Sequence, residues 1–346
     1  MAPALQPAAV PAATADSLAE LAALLTGAGV SALDETGWIR VTGSDRVRWL
    51  NGMVTNAIQT LAAGEGCYNF VLNAQGRIQG DLTAWMQEES VLLETDRGQM
   101  STLLAHLDHF IIMDDVELAD ISEPRHGLLV AGPLAASMLG KVDLLADSQT
   151  SLCLQARTWH NAVLEVLNTY APLVPRLELW SDAETIAALR AALIAVGAVS
   201  VSPAALEQLR ILEGTPRYGV DIRNSATAHD LPQETAQARA LHFSKGCYLG
   251  QEIVERIRSR GNVHRTFSGF ELSGSLPPAG TVLTAEGKPV GELTSVASIQ
   301  LPSPRAKLCP VQLALGYVRR EALDRNLTLE FPGGIATPAA LPFAIS

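Results

Sequence analysis

Hydrophobic and polar positions along the chain follow two periods, which predicts a protein of mixed α and β structure. After an Ala- and Pro-rich start, the pattern favours a helix from about Asp16, and short alternating apolar runs begin at Gly37. Residues 67–86 contain two such runs on either side of the sequence NAQG at 73–76, which predicts a β-hairpin. The run MSTLLAHLDHF, residues 100–110, instead places apolar residues three and four positions apart, as in an amphipathic helix.

Small and polar residues indicate where further elements begin and end. Ser44 is predicted to cap a helix that continues to Met53. Beyond Ile121 the predicted order is a strand, a helix, further strands and a second helix ending at Val196, which suggests a ferredoxin-like split unit. Another helix is predicted over 203–213.

After Arg265 the pattern changes to short apolar runs separated by Gly, Pro and Ser. These runs are FSGFEL, GTVLTA, KPVGELTSVAS, LALGYV and LTLEF. Short strands of this kind are typical of a small closed β-barrel, which we predict for the C-terminal part. No repeat of fixed period is present, which argues against a solenoid.

Composition narrows the classes of partner. The chain has 346 residues, 48% hydrophobic, with a formal net charge of −11. Such a chain can bury sizeable cores, and its negative charge argues against nucleic acid or an anionic membrane as the main partner. The N-terminal residues lack the features of a secretory signal or a mitochondrial presequence, and no run is apolar enough to span a bilayer. We therefore expect a soluble, cytoplasmic protein.

The cysteines are few and far apart in sequence. They are Cys67, Cys153, Cys247 and Cys309. No C-x-x-C pair or Cys/His cluster is present, so we expect neither a zinc site nor an iron–sulfur cluster held by this chain alone. Sparse cysteine in a chain of this length suits a reducing compartment.

The segment 245–265, KGCYLGQEIVERIRSRGNVHR, is basic although the chain is acidic. Its periodicity predicts a helix from Gly250 to Arg260. Cys247 would then lie just before a helix N-terminus and two residues after Lys245, and both features favour a thiolate. The alternative is a buried structural cysteine beside a solvated basic helix.

The motif Lys245-Gly246-Cys247-Tyr248-Leu249-Gly250-Gln251-Glu252 matches in full the K-G-C-[FY]-x-G-Q-E motif of the YgfZ family. Other segments resemble that family too: VTGSDRVRWLNGMVTN, NAQGRIQGDL, LLVAGP, LRILEGTPRYGVDI, LPQET, and GELTSV with LALGYVRRE. The chain is therefore similar to the YgfZ family, a folate-binding relative of the glycine-cleavage T-protein.

This resemblance implies an α+β fold, a three-domain T-protein/YgfZ-like ring around a central folate-binding hole. Its parts would be a flexible tail (1–15), a discontinuous first folate-binding domain (16–120 plus 201–265), a ferredoxin-like second domain (121–200) and a C-terminal β-barrel domain (266–346). Family members bind tetrahydrofolate and support assembly or repair of iron–sulfur enzymes. The implied cofactor is tetrahydrofolate or a polyglutamyl folate, and the implied partners are iron–sulfur client enzymes or assembly proteins.

The resemblance also implies roles for individual residues. Asp81 occupies the position of the catalytic aspartate of the T-protein, and Cys247 with Lys245 would supply the functional thiol. The residues expected to bind folate are Asp81, Arg77, Glu234, Tyr248, Gln251 and Arg256.

One position departs from the T-protein pattern. Leu212 stands where the T-protein has its pterin-binding glutamate, and Glu213 is displaced by one residue, about 100° around a helix. This departure argues against aminomethyltransferase activity. Two alternatives to an iron–sulfur accessory factor stay open: a folate-dependent one-carbon transferase and a non-catalytic folate-binding module.

Overall fold

The structure, a computed structural model, describes residues 15–145, 151–223, 238–260, 264–301 and 310–345. The predicted tail over 1–15 lies outside these ranges except for its last residue. The helices are α1 (Ala15–Thr26), α2 (Arg46–Met53), α3 (Met100–Asp108), α4 (Ala135–Lys141), α5 (Ala183–Ala195), α6 (Pro203–Glu213), α7 (Gln251–Arg260) and α8 (Arg320–Asp324). The strands are β1 (Gly29–Ala32), β2 (Thr36–Thr42), β3 (Gly66–Leu72), β4 (Ile78–Met86), β5 (Val91–Asp96), β6 (Glu117–Asp120), β7 (His126–Ala131), β8 (Cys153–Trp159), β9 (Ala162–Asn168), β10 (Arg176–Ser181), β11 (Val199–Ser200), β12 (Arg265–Gly274), β13 (Val282–Ala285), β14 (Lys288–Ile299), β15 (Val311–Arg319), β16 (Leu329–Phe331) and β17 (Gly334–Ala339).

The described residues form two compact units. The first, here called the two-sheet unit, comprises Ala23–Ser200 and Ala238–Glu255. The second, here called the barrel unit, contains the other described residues. The chain thus leaves the two-sheet unit after β11 and returns to it at Ala238, so this unit is discontinuous in sequence.

One sheet of the two-sheet unit has the strand order β3-β4-β5-β2-β6. Its β3–β4 hairpin confirms the hairpin predicted over residues 67–86. Apolar side chains of α2 and α3, among them Leu50, Leu103 and Leu107, pack with strand residues such as Leu82 and Leu93 in a buried core. This packing fixes the hairpin against two helices, so the side chains on its other face have defined positions.

The second sheet has the order β11-β1-β7-β10-β9-β8. Its core combines strand residues such as Leu128 and Leu164 with Leu139 of α4 and Leu189 of α5. Strand β1 pairs antiparallel with β7, so a short strand from residues 16–120 lies in the same sheet as residues 121–200. The sequence pattern did not predict this strand.

A cluster of tryptophans forms a further core of the two-sheet unit. Trp38, Trp85 and Trp180 are each at most 2% exposed. The Trp85 indole N–H donates to Glu94 Oε2 at 2.8 Å, and the Trp180 indole N–H to Glu178 Oε2 at 3.3 Å. Two carboxyl groups therefore lie among aromatic rings.

The barrel unit contains a closed barrel with the strand order β12-β15-β14-β13-β16-β17. This confirms the barrel predicted after Arg265, and with the two sheets it confirms the α+β fold class. Helix α6 is joined to the barrel through Arg210, which donates to Ser295 Oγ at 2.7 Å and to Asp221 Oδ2 at 2.7 Å.

One predicted helix cap is wrong. The N-cap of α2 is Asp45 rather than Ser44, and the Asp45 side chain makes no capping bond. Both residues instead bind the loop before β6: Ser44 N donates to Asp115 Oδ2 at 2.9 Å, and Asp115 N donates to Asp45 Oδ2 at 3.0 Å. Contact with a distant loop, which local sequence does not encode, has replaced the local cap.

Candidate functional site

Strands β3 and β4 carry a polar and aromatic face on one side of the five-stranded sheet. Phe70 lies opposite Asp81 across the two strands. Because side chains alternate along a strand, Tyr68 shares the face of Phe70 and Asp81. Cys67 and Leu82 lie in the core on the opposite face. The hairpin thus places Tyr68 and Asp81 together, away from the core.

The Asp81 carboxylate is held by two side chains. The Tyr68 hydroxyl donates to Asp81 Oδ2 at 2.5 Å, and Gln99 Nε2 donates to Asp81 Oδ1 at 2.8 Å. Gln99 also accepts a hydrogen bond from the Asp81 backbone N–H, at 3.0 Å to its Oε1. The side-chain amide of Gln99 therefore fixes both the backbone and the carboxylate of Asp81.

Opposing effects act on the acidity of Asp81. Burial raises its pKa and is the largest influence, whereas the hydrogen bonds from Tyr68 and Gln99 and the positive charge of Arg239 lower it. The negative charge of Asp96 raises it further. A positioned carboxylate with a raised pKa can accept hydrogen bonds from a ligand and can exchange a proton with it.

The guanidinium of Arg239 packs against two tyrosine rings. Its Cζ is 4.1 Å from the centroid of Tyr68 and 4.1 Å from the centroid of Tyr170. The backbone carbonyl of Arg239 accepts a hydrogen bond from Asn56 Nδ2 at 2.9 Å. The same tyrosine that binds Asp81 therefore stacks on a cation, which adds Arg239 and Tyr170 to the site.

Lys245 binds the backbone of the segment that follows α2. Its Nζ donates to the carbonyl oxygens of Asn51 at 2.7 Å, Val54 at 2.7 Å and Asn56 at 2.6 Å. These bonds use all three donors of the ammonium group. Burial lowers the pKa of Lys245 to about 8, while three carbonyl dipoles favour the charged form. Lys245 thus fixes a loop.

Cys247 is exposed, and α7 begins four residues later, at Gln251. The approach to this helix is tightly constrained at Gly250, which has φ +82°. A Cβ at this position would lie 2.6 Å from the carbonyl oxygen of Asn73, in the turn of the β3–β4 hairpin. Gly250 therefore permits a close approach that positions the Cys247 segment beside the hairpin.

Comparison with known proteins identifies the family. Residues 7–236 match the GCVT N-terminal domain, and residues 266–344 match the CAF17 C-terminal β-barrel domain. The chain belongs to the GCVT N-terminal domain family.

Named relatives of this GCVT-family chain include transferases. It is 28% identical over 318 residues to an aminomethyltransferase of Thermus thermophilus, covering 90% of this chain and 85% of the relative. It is 25% identical over 312 residues to a chloroplastic Arabidopsis thaliana protein that carries the name "Putative transferase", covering 88% of this chain and 68% of the relative. The crystal structure of glycine cleavage system aminomethyltransferase T from Bartonella henselae matches with a TM-score of 0.79 and 22% identity, covering 95% of this chain and 89% of that one. The fold is thus aminomethyltransferase-like.

The other predicted folate-binding residues of the GCVT-family chain have different surroundings. Tyr248 is 8% exposed, and burial raises its pKa to about 12. Arg77 and Arg256 are exposed, and Gln251 is the first residue of α7. Glu234 and its LPQET segment lie outside the described residues, as does Cys309.

The residue that the resemblance aligns with the T-protein glutamate is apolar in this GCVT-family chain. Leu212 is fully buried in α6, and its carbonyl oxygen accepts a hydrogen bond from Phe343 N at 2.9 Å. Glu213, the next residue, is 4% exposed. Arg210 is engaged by Glu207 and Asp221 rather than directed to solvent.

Metal sites and membrane-spanning helices are two features that the described ranges do not show. Within those ranges no group of three or more His, Cys, Asp or Glu side chains is arranged to hold a metal ion. None of the helices described for this GCVT-family chain is both long and apolar enough to cross a membrane.

The residues predicted from the sequence do not include Tyr68, Gln99, Arg239 or Tyr170. The alternation along β3 could have revealed Tyr68, since a tyrosine two residues from Phe70 shares its face. Gln99, Tyr170 and Arg239 come from distant segments and carry no local signal.

Proposed function

We propose that this GCVT-family protein binds tetrahydrofolate at the Asp81 site and supports assembly or repair of iron–sulfur enzymes. The observation that carries the folate part is the arrangement around Tyr68, whose hydroxyl binds Asp81 while its ring stacks on Arg239. A carboxylate, aromatic rings and a cation are thus held within one small area.

These groups fit the chemistry of a reduced folate. Its pterin offers N–H donors, which match the acceptor oxygens of Asp81. Its aromatic portions match the tyrosine rings, and its glutamate carboxylates match a guanidinium. When bound, tetrahydrofolate would carry one-carbon units, and Asp81 would orient it and exchange a proton near its reactive nitrogens. Arg77, Gln251, Arg256, Tyr248 and Glu234 remain proposed further contacts.

The iron–sulfur part rests on the KGCYLGQE motif, which resembles that of the YgfZ family, and on the CAF17-type barrel. The exposure of Cys247 supports a thiol that contacts client enzymes or assembly proteins. We place this activity in the cytoplasm, with no role for nucleic acid or membrane, and we propose the domain boundaries given above for the family.

Calorimetric titration with tetrahydrofolate tests the folate part. We expect binding that tightens with a polyglutamyl tail, weakens with salt and drops at least tenfold in Asp81→Asn, since a charged acceptor is lost. The matched control is Asp108→Asn, an exposed carboxylate at the end of α3. No binding at millimolar tetrahydrofolate would refute the folate part of the proposal.

The iron–sulfur part is tested by measuring the activities of iron–sulfur enzymes in cells that lack the protein.

A folate-dependent one-carbon transferase is the second candidate, favoured by relatives named aminomethyltransferase. An assay for methylene-tetrahydrofolate formation from the aminomethylated carrier protein separates the two candidates. Robust turnover would support the transferase.

A further inference from the structure

Arg239 is held more rigidly than an ordinary partly exposed arginine. Two tyrosine rings pack against its guanidinium: the centroids of Tyr68 and Tyr170 each lie 4.1 Å from Cζ. Its main chain is fixed as well: Asn56 Nδ2 donates to the Arg239 carbonyl at 2.9 Å, and Thr55 Oγ1 donates to the Ala240 carbonyl at 2.6 Å. Rings packed against a guanidinium contact its flat surface, whereas its N–H groups point outward in its plane and can donate hydrogen bonds.

Within the described part of the chain, no group accepts a hydrogen bond from the Arg239 side chain. Other stacked or enclosed arginines differ. Arg125 lies 4.3 Å from the Trp38 ring centroid, and its guanidinium pairs with Glu165. Arg210 donates to Glu207 and Asp221. Arg239 differs from both, because it packs against aromatic rings and no described carboxylate accepts a hydrogen bond from its side chain.

We propose that Arg239 is a carboxylate-binding residue of the Asp81 site, donating from its guanidinium N–H groups to a carboxylate of the ligand. A guanidinium fork matches the two oxygens of a carboxylate. The tyrosines fix its plane beforehand, so less side-chain freedom is lost on binding. This assignment rests on the proposed folate function and deepens it, since it selects the glutamate end of the ligand.

Asp81 and Arg239 flank the same tyrosine and carry opposite charges. Asp81 accepts hydrogen bonds and Arg239 donates them, so the pair selects a ligand that has both N–H donors and a carboxylate. The rival interpretation is that the Arg239 side chain occupies, in the absence of ligand, the space beside the two tyrosine rings where an aromatic ring of the ligand binds. In that case its removal would strengthen binding, whereas a carboxylate contact predicts the opposite.

Two ligands and two variants test the assignment. Tetrahydrofolate and its glutamate diamide, which lacks both glutamate carboxylates, are titrated against the intact protein, Arg239→Gln and Arg239→Lys. We expect Arg239→Gln to weaken tetrahydrofolate about tenfold to a hundredfold and to leave the diamide unchanged. Arg239→Lys keeps the charge without the fork and should show an intermediate loss. The control is Arg40→Gln, an exposed arginine on β2, and thermal unfolding verifies that each variant folds.

Equal tetrahydrofolate affinity in wild type and Arg239→Gln would overturn the assignment while leaving folate binding intact. Tighter binding by Arg239→Gln would also overturn it, and would support the interpretation that Arg239 occupies the space of a ligand ring. If wild type fails to bind tetrahydrofolate, the proposed function fails, and p-aminobenzoylglutamate followed by NMR decides on Arg239 alone. Binding of that probe by wild type but not by Arg239→Gln supports the carboxylate contact, and no binding by wild type refutes it.

Discussion

The ammonium nitrogen of Lys245 lies 2.6 Å from the backbone carbonyl oxygen of Asn56, the shortest of its three hydrogen bonds to that loop. Asn56 in turn donates through Nδ2 to the carbonyl of Arg239. The lysine of the KGCYLGQE motif is therefore linked through one loop residue to the backbone of Arg239, whose guanidinium packs against Tyr68. The position of Lys245 two residues before Cys247 predicts an interaction with the thiol. The contacts that Lys245 makes are instead three hydrogen bonds to backbone carbonyl groups, which hold a loop.

Lys245→Met is expected to destabilise the protein, because it leaves three partly enclosed carbonyl oxygens without their donor. We expect a loss of about 2 kcal/mol or more in the free energy of unfolding, measured by urea denaturation. The control is Lys141→Met, which removes an exposed ammonium at the end of α4. Equal stability of the two variants would show that the carbonyl contacts contribute little.

Tyr68→Phe should raise the pKa of Asp81. The tyrosine hydrogen bond lowers that pKa, so its removal leaves burial less opposed. The phenyl ring preserves stacking on Arg239. An NMR titration with 13C-labelled aspartate should show the midpoint moving to higher pH in Tyr68→Phe and staying in place in Tyr170→Phe. A midpoint that falls in Tyr68→Phe would contradict the hydrogen bond.

Glu94 gives a pH-dependent prediction. Burial, together with the nearby charge of Glu178, raises the pKa of Glu94 well above its ordinary value, and burial also raises that of Glu178. The folded state then binds more protons than the unfolded state, so stability falls as pH rises from the unfolded glutamate pKa, about 4.3, through the raised pKa. Glu94→Gln should be less sensitive to pH and more stable by about 1 kcal/mol or more at pH 8.

Urea unfolding of wild type, Glu94→Gln and the control Glu117→Gln, an exposed glutamate on β6, at pH 5 and pH 8 measures this effect. A wild-type stability that increases over this interval more than that of Glu94→Gln would contradict the raised pKa.

The elements with strong periodicity could be predicted from sequence. The β3–β4 hairpin and the C-terminal barrel have long alternating runs and clear turn residues, so local pattern determines them. Strand β1, with only four residues, has too few positions to show a period. Its pairing with β7 is decided by tertiary packing.

The site was predictable only where the family motif or strand alternation marks a residue, as at Asp81. Gln99, Tyr170 and Arg239 reach the same place from separate segments, and no local pattern links them. The direction of the Lys245 side chain was likewise not encoded in its spacing from Cys247. It follows from carbonyl groups of a loop almost two hundred residues earlier in the chain.

Glycine-cleavage activity is predicted to be absent. Leu212, which the resemblance aligns with the pterin-binding glutamate of the T-protein, is fully buried, so an apolar side chain would stand in place of an acceptor. The purified protein should form no methylene-tetrahydrofolate from the aminomethylated carrier protein. The positive control is a T-protein assayed in parallel, and turnover within tenfold of that control would show that the leucine does not prevent the reaction.

Cys247 is the residue on which the proposed iron–sulfur role depends. The thiol is exposed, whereas Cys67 is 8% exposed and burial raises its pKa to about 11. A thiol that is neutral and enclosed reacts slowly with alkylating agents. Iodoacetamide should therefore label Cys247 well before Cys67, as measured by peptide mass spectrometry over time.

Cys247→Ser should change the free energy of unfolding by no more than about 0.5 kcal/mol, because an exposed side chain is replaced by one of similar size. Tetrahydrofolate affinity should also be retained, since the Asp81 and Arg239 contacts do not involve the thiol. Iron–sulfur enzyme activities in cells lacking the protein should nevertheless fail to recover with this variant, while Cys153→Ser restores them. If Cys247→Ser complements fully, Cys247 serves structure and the proposed role of the motif is wrong. The same conclusion follows if the Cys247 thiol of the wild-type protein labels no faster than that of Cys67.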